Sequence, residues 1–339
     1  MKRRSFIAGA AAAVSGCARR TRRLNIYNWS DYIGRETIPA FERQFNVQVR
    51  YGTYEVVEEM FAKVMTGNSG WDVVFPSNSY VVTMRRMNLL ARLDRHSLPN
   101  IVNLGDRFRR PFWDPELEWS IPYMHGSTGI VYSTKAPAAT AWGDLWTDRY
   151  GGRMTMLDDP AEVFGACLKR LDYSVNATDP PDLEKAKQLA LQQKPFLRAY
   201  LNAEVRDQLI AGDVLAAQSW SVTAQQAIEI GDTLAFAYPR EGFPLYCDTA
   251  AILRESSSKE LAHEFLNYLL RPEVAAAIAT EMRTATANGA ARSLLPAKDR
   301  DNATLYPSTQ ILAGGEWFRA LPAAAERLRD RLWTEVKSG

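Results

Sequence analysis

The chain has 339 residues, 46% hydrophobic and 24% charged, with 20 Gly and 17 Pro spread through it. That is enough for two lobes of ordinary size and unlike a disordered, collagenous or low-complexity polypeptide. Its 41 basic and 39 acidic residues give +2 overall, but residues 1–23 hold seven Lys or Arg and no acid, so 34 basic face 39 acidic from Leu24 onward; a folded part at −5 excludes a nucleic-acid binder, and no run of 18 apolar residues marks an ordinary transmembrane helix.

In chain order, the first element is an address label. Lys2-Arg3-Arg4-Ser5-Phe6-Ile7 sets paired arginines ahead of a short apolar stretch that ends at Val14-Ser15-Gly16-Cys17. The arginines resemble a twin-arginine export signal, and small residues before Cys17 form a lipobox, in which the cysteine is acylated and becomes the mature N-terminus. Arg19, Arg20, Arg22 and Arg23 then read as a basic tether beside anionic headgroups. The expected location is the periplasm or the extracytoplasmic face of a membrane, held by a lipid.

Strands and helices alternate after that. Leu24–Tyr27 is a strand pattern ending in the turn Asn28-Trp29-Ser30-Asp31-Tyr32. Ile38, Phe41 and Phe45 recur at helical spacing before the strand 47–51; Val57, Phe61 and Val64 mark a second helix before the apolar strand 71–75, which stops at Pro76-Ser77-Asn78. Two strand–helix–strand units in so short a span predict a parallel α/β sheet, whose ligands bind beyond the carboxyl ends of the strands. Residues 107–119, rich in Pro, Arg and Trp, read as a surface loop. Further strands are predicted at 130–133, 154–157, 215–220 and 244–248, with a Pro/Asp loop at 179–182. Ser257 and Glu260 form a capping-box pattern ahead of a helix running to Pro272.

The strand ends gather Trp29, Trp220 and Tyr246 with Asp31, Asp159, Glu162 and Asp248. Aromatic faces with several carboxylates suit an elongated cation, the rings flanking its alkyl part and the carboxylates pairing with its charged ends. Each residue also has a plainer use. Asp159-Pro160-Ala161-Glu162 reads equally as a helix start, Asp31 as a cap, Asp248 as a turn residue, and the two tryptophans as core. No catalytic residue is predicted, since His96, His125 and His263 are scattered and His125-Gly126-Ser127 lacks an orienting third group. The sequence holds no metal-ligand spacing, nucleophile elbow or phosphate or dinucleotide loop, so no cofactor is expected. Cys167 and Cys247 each read as a small buried hydrophobe, although export permits a disulfide.

From Leu24 to Lys337 the chain resembles the substrate-binding proteins of bacterial spermidine/putrescine ABC transporters. The matching segments are Tyr27-Asn28-Trp29-Ser30-Asp31-Tyr32-Ile33, Asp72-Val73-Val74-Phe75-Pro76-Ser77, Ser120-Ile121-Pro122-Tyr123, Leu157-Asp158-Asp159-Pro160-Ala161-Glu162-Val163-Phe164, Phe265-Leu266-Asn267-Tyr268-Leu269-Leu270-Arg271-Pro272 and Asn288-Gly289-Ala290-Ala291-Arg292. The resemblance implies an α/β, two-lobed periplasmic binding protein with its ligand cleft between the lobes. The lobes are expected at 24–126 with 248–292, and at 127–247 with 293–339.

Carried across residue by residue, the resemblance implies that Trp29, Ser30, Asp31 and Tyr32 line the cleft, with Ser77 on a facing loop. Asp159 and Glu162 approach ammonium groups from the second lobe, Trp220 stacks on the methylene chain, Asp248 is the characteristic ammonium-binding aspartate, and Tyr246 replaces a tryptophan. The pocket is a mixture. Ser79 follows the putrescine type and Asp159 the spermidine type, while Thr284 replaces a tyrosine used by both, Phe318 a glutamine and Thr223 an aspartate. The implied function is capture of a polyamine for an ABC permease, without chemistry. Alternatives are another cationic amine such as agmatine or a basic amino-acid derivative, a sensor lipoprotein, and an amine-conjugate hydrolase.

Overall fold

The computed structural model describes residues 22–339. The paired arginines, the Val14–Cys17 motif with acylation at Cys17, and Arg19 and Arg20 lie outside the described residues. Arg22 and Arg23 are not part of a tether: they open the first strand, pairing with Val47 and Gln48, and Arg22 also meets Glu264 at 3.1 Å.

The strands are β1 (Arg22–Trp29), β2 (Val47–Tyr54), β3 (Val73–Val74), β4 (Ile121–Ser133), β5 (Met154–Met156), β6 (Leu197–Tyr200), β7 (Ala216–Trp220), β8 (Leu234–Ala237), β9 (Phe243–Ile252), β10 (Ala285–Thr286) and β11 (Gly315–Trp317). Their main order is β2-β1-β3-β9-β4-β7-β5-β6, with β8 and β10 beside β4 and β11 beside β9. The expected parallel units are present, β1 lying parallel to β2 and β3, and β5 to β6 and β7. The sheet is mixed because β4 and β9 run antiparallel to each other and to their neighbours β7 and β3.

Helices pack on the parallel parts because their apolar positions fall on one stripe. In Thr37–Phe45, for example, Phe41 is buried and meets Phe265 edge-on at 5.0 Å. Two large cores result. One gathers residues from Leu24 to Met124 with Cys247 to Ala287; the other runs from Ile130 to Leu245 and takes Leu332 and Val336 from the terminal helix Ala323–Ser338. β4 and β9 pass from one core into the other, and Trp317 packs against both. Leu295 and Tyr306 pack with Ala275, Ala276 and Ala279 beside the first core.

Several sequence expectations are corrected. β4 begins at Ile121, nine residues before the predicted strand, because its first half pairs with β9 far along the chain. Residues 107–119 are irregular and in good part exposed, as expected of a surface loop, but they are pinned down: Phe108, Trp113 and Leu117 are buried, and the Asp114 carboxylate gathers the N–H groups of Glu118, Trp119 and Ser120 at 2.9–3.0 Å. The Pro/Asp segment is the start of the helix Pro180–Gln193, where proline's missing N–H costs no hydrogen bond. The capping box does not form. The helix starts at Lys259 behind Ser258, so Glu260 is one residue too early, and Ser256 Oγ receives the Ser258 N–H instead. Cys167 and Cys247 are buried and form no disulfide among the described residues. Among the described residues no helix is long and apolar enough to cross a membrane.

Candidate ligand-binding site

A cavity of about 250 Å³ lies where the carboxyl ends of β1 and β7 face the helix starts at Asn78 and Pro160. Trp29, Ser30, Asp31, Tyr32, Ser77, Ser79, Asp159, Glu162, Trp220, Tyr246 and Asp248 all line it, as do Thr223 and Phe318. Thr284 does not. It is 2% exposed and directly follows the left-handed Arg283 that ends the helix Pro272–Met282, so its N–H is spent on the Ala279 carbonyl.

The first wall is built on β1. Trp29 and Tyr54 lie 4.7 Å apart, and Trp29 Nε1 and Tyr54 Oη both donate to the Phe75 carbonyl, at 2.8 and 2.7 Å. That shared acceptor fixes the ring planes at the strand ends. Asp31 follows in the left-handed region at φ 50°, exposed and well ahead of the next helix, so it does not cap it. Tyr32 Oη donates to Asp248 Oδ2 at 2.7 Å, while the Tyr32 carbonyl accepts from Tyr123 Oη.

β9 supplies Tyr246 and Asp248 on one face, residues two apart sharing a side of a strand. Asp248 is 6% exposed, and burial pushes its carboxyl up to about 7 against the opposing effect of the Tyr32 hydrogen bond. The fully buried Asn78 holds this strand in place: its Oδ1 accepts from Cys247 N at 3.1 Å and its Nδ2 donates to the Phe318 carbonyl at 2.7 Å.

The opposite wall resolves the two readings of Asp159 and Glu162. Asp159 Oδ1 caps the helix Pro160–Arg170, accepting from Ala161 and Glu162 N–H at 2.7 and 3.0 Å. Glu162 turns its carboxylate inward. Oε1 accepts from Trp220 Nε1 at 2.8 Å and Thr128 Oγ1 at 2.9 Å, whereas Oε2 is buried with no hydrogen-bond partner among the described residues. Burial first, then Asp159, raises the Glu162 carboxyl; burial first, then Glu58, raises that of Asp159. Such a site holds protons at neutral pH until a cation offsets the charge.

Gly126 on β4 shapes the floor. A Cβ there would sit 2.4 Å from Tyr246 Oη and 2.9 Å from Ser221 Oγ, so the tyrosine ring lies flat across the strand only because the residue is glycine. Gly126→Ala is expected to destabilise the protein by about 1–3 kcal/mol through overpacking, read by denaturant unfolding. Wild-type stability in the variant would contradict the placement of the ring.

Sequence reasoning missed Glu55, Glu58, Tyr80, Arg206, Arg319, Glu326 and Arg329, all of which line the cavity. Tyr80 Oη donates to Glu58 Oε1 at 2.7 Å across two helices. A signal existed for Glu55, which directly follows the end of β2, and for Glu58 in the first turn of the helix Val57–Met65 after it; none existed for the arginines, which arrive from distant parts of the chain. The described lining holds seven carboxylates and three guanidiniums. His125 and Ser127 are on the other face of β4, with Ser127 Oγ donating to Tyr238, so they do not form a catalytic pair in the cleft. Among the described residues no group of three or more His, Cys, Asp or Glu is placed to hold a metal ion.

The family of bacterial extracellular solute-binding proteins matches residues 36–303 of the chain. A spermidine/putrescine-binding periplasmic protein of Escherichia coli is 34% identical, covering 93% of this chain and 92% of its own. The PotD lipoprotein of Treponema pallidum superposes with a TM-score of 0.83 at 30% identity, over 93% of this chain and 99% of its own. The spermidine/putrescine ABC transporter substrate-binding protein PotD of Streptococcus pneumoniae gives 0.83 at 29% identity, over 94% and 99%. With two cores joined by crossing strands and a charged cleft at the strand ends, the chain belongs to the bacterial extracellular solute-binding proteins and has their two-lobed α/β fold.

Proposed function

We propose that this protein is an extracytoplasmic receptor that captures a polyamine of the putrescine/spermidine class and delivers it to an ABC permease, leaving the ligand chemically unchanged. The observation that carries this reading is Glu162 Oε2, a buried carboxylate oxygen with no partner among the described residues, in a cavity walled by Trp29, Trp220 and Tyr246. An ammonium supplies the missing partner, and the rings cover the methylenes between two such groups. Asp248 with Tyr32 receives one charged end, and Glu162 with Asp159 the other. Asp31, Ser30, Ser77 and Ser79 complete the polar rim. The names of the Escherichia coli and Streptococcus pneumoniae relatives support the ligand class and the transport role.

Capture works by differential binding: a ligand touching both walls stabilises the closed arrangement of the lobes. We place the first lobe at 24–126 with 248–306 and the second at 127–247 with 307–339, since Leu295 and Tyr306 pack beside the first core. Export through the paired arginines and anchoring through acylated Cys17 fit this role, and the Treponema pallidum relative is itself named a lipoprotein.

Arg206, Arg319 and Arg329 on the lining favour a second reading, a cationic ligand that also carries an acceptor, as a basic amino-acid derivative does. Glu162→Gln separates a ligand role from a structural one. Glutamine Oε1 still accepts from Trp220 and Thr128, and the helix cap stays with Asp159. The expected result by titration calorimetry is roughly tenfold weaker polyamine binding with an unchanged Tm of the unliganded protein. A lowered Tm with wild-type affinity would make Glu162 a structural residue and defeat the assignment.

A further inference from the structure

The crossing strands have a second face. On β9, Tyr246 and Asp248 point into the cleft, while Leu245, one residue out of phase, lines a different cavity of about 330 Å³. On β4, Thr128 reaches Glu162 in the cleft, whereas His125 and Ser127 line the second cavity. The two hollows therefore lie back to back on the strands that join the lobes, and their chemistry is opposite.

The rear cavity is framed by guanidiniums and rings. Arg292 lies over the Tyr306 ring at 4.2 Å and Arg107 faces that of Trp317 at 5.5 Å. Phe108 and Tyr306 stand 4.8 and 6.1 Å from the His125 ring. Neither arginine forms a salt bridge among the described residues; both are exposed, and Arg292 donates to the Arg300 carbonyl. Asp106, an acid on the lining, points outward to Arg109 at 3.2 Å and is 93% exposed. Both guanidiniums act on His125, whose pKa is pushed down to about 3 by burial and then by Arg107 and Arg292 against a hydrogen bond with the Thr286 backbone, so the ring is neutral and adds no charge of its own.

We infer that this rear cavity is a binding site for a small organic anion, a planar carboxylate whose charge lies between Arg107 and Arg292 and whose body lies among Phe108, Tyr306 and Trp317. Its volume is at the lower end of small-molecule sites, about 300–1,000 Å³, which suits a single ring. A bidentate guanidinium–carboxylate contact supplies orientation, and stacking under the arginines supplies the rest. Because the cavity backs onto Tyr246 and Asp248, an occupant that favours this arrangement of the strands is linked reciprocally to whatever binds in the cleft.

The test uses benzoate as probe, neutral benzamide as its isostere, and the purified protein without any amine. Benzoate at tens of millimolar is expected to raise Tm by about 2–3 °C, consistent with a roughly millimolar site. Benzamide is expected to give no shift, and the double variant Arg107→Gln/Arg292→Gln, altered at two exposed positions, is expected to lose the benzoate shift while keeping its own Tm. No benzoate shift, an equal shift with benzamide, or a shift that survives in the double variant would each overturn the site. If the double variant unfolds early, the single variants at fixed benzoate decide: each is expected to show less than half the wild-type shift, and an undiminished shift in both overturns the proposal. No amine enters this measurement, so it fails or succeeds separately from the polyamine reading.

Discussion

Asp248→Asn is expected to weaken polyamine binding at least about 30-fold while raising the Tm of the unliganded protein. The loss arises because the carboxylate is 6% exposed and pairs with Tyr32 at 2.7 Å, so an ammonium beside it meets a charge in a partly dry site. Removing one partner of such a pair costs about 2–5 kcal/mol. The gain arises because burial outweighs the Tyr32 hydrogen bond and holds the group at about 7, so folding at pH 8 keeps a charge in a place that disfavours it. Asparagine has the same shape, and its carbonyl still accepts from Tyr32. Calorimetric titration and thermal unfolding of one preparation read both effects. Unchanged affinity would remove Asp248 from the site, and a fall in Tm would make it a structural residue.

Polyamine affinity is expected to fall at least tenfold between pH 8 and pH 5.5, with release of protons on binding at pH 7. The sign follows from the three cleft carboxyls. Asp248 titrates near 7 in the folded protein against an ordinary 3.8, and burial raises Glu162 and Asp159 as well. A folded pKa above the unfolded one means that the folded state holds the extra proton. The corresponding stability is present below the unfolded value and is lost as pH rises through about 7. Unliganded protein is therefore more stable on this account at pH 5 than at pH 8. An incoming ammonium needs the ionised form, so its affinity runs the other way, by about tenfold per pH unit for each proton that must leave. Titration in two buffers of different ionisation enthalpy measures the protons released. A Kd constant from pH 5.5 to 8, with no buffer dependence, would show that these carboxyls carry no part of the recognition.

Local pattern carried the parts of the fold that depend on local chemistry. β1 and β2 with their helices follow from alternating apolar residues and end in turn residues, which is why Trp29 to Tyr32 could be placed at the mouth of a cleft. The crossing of β4 and β9 was not visible in that way. Their pairing joins Ile121 to Ala250 and Ser127 to Leu245, and a strand whose partner lies more than a hundred residues away shows only as apolar content. The same limit explains the site. Aspartates and tryptophans at strand ends could be read, but Arg206, Arg319 and Arg329 reach the cleft from helices and a loop that no local pattern connects to it. Thr284 fails for a related reason. Likeness of position puts it in the cleft, yet the left-handed turn at Arg283 directs its backbone to the helix end, away from the cavity. The spacing of Asp159 and Glu162 allows both roles and geometry separates them, one oxygen capping the helix and another facing the cleft with no partner among the described residues.

A cleft that is a cation receptor is tested most directly by thermal unfolding of the refolded, ligand-stripped protein against single amines. Putrescine, spermidine, spermine, agmatine, lysine and arginine form the panel, with sulfate and a neutral sugar as controls. A ligand that binds only the folded state raises stability with the logarithm of its concentration over Kd, by about 2.7 kcal/mol at a hundredfold excess. The expected result is a large rise in Tm with one di- or triamine, a small one with lysine, and none with sulfate or sugar. A large rise with arginine or lysine alone would move the ligand to the basic amino-acid class. No rise with any amine would contradict the polyamine reading altogether.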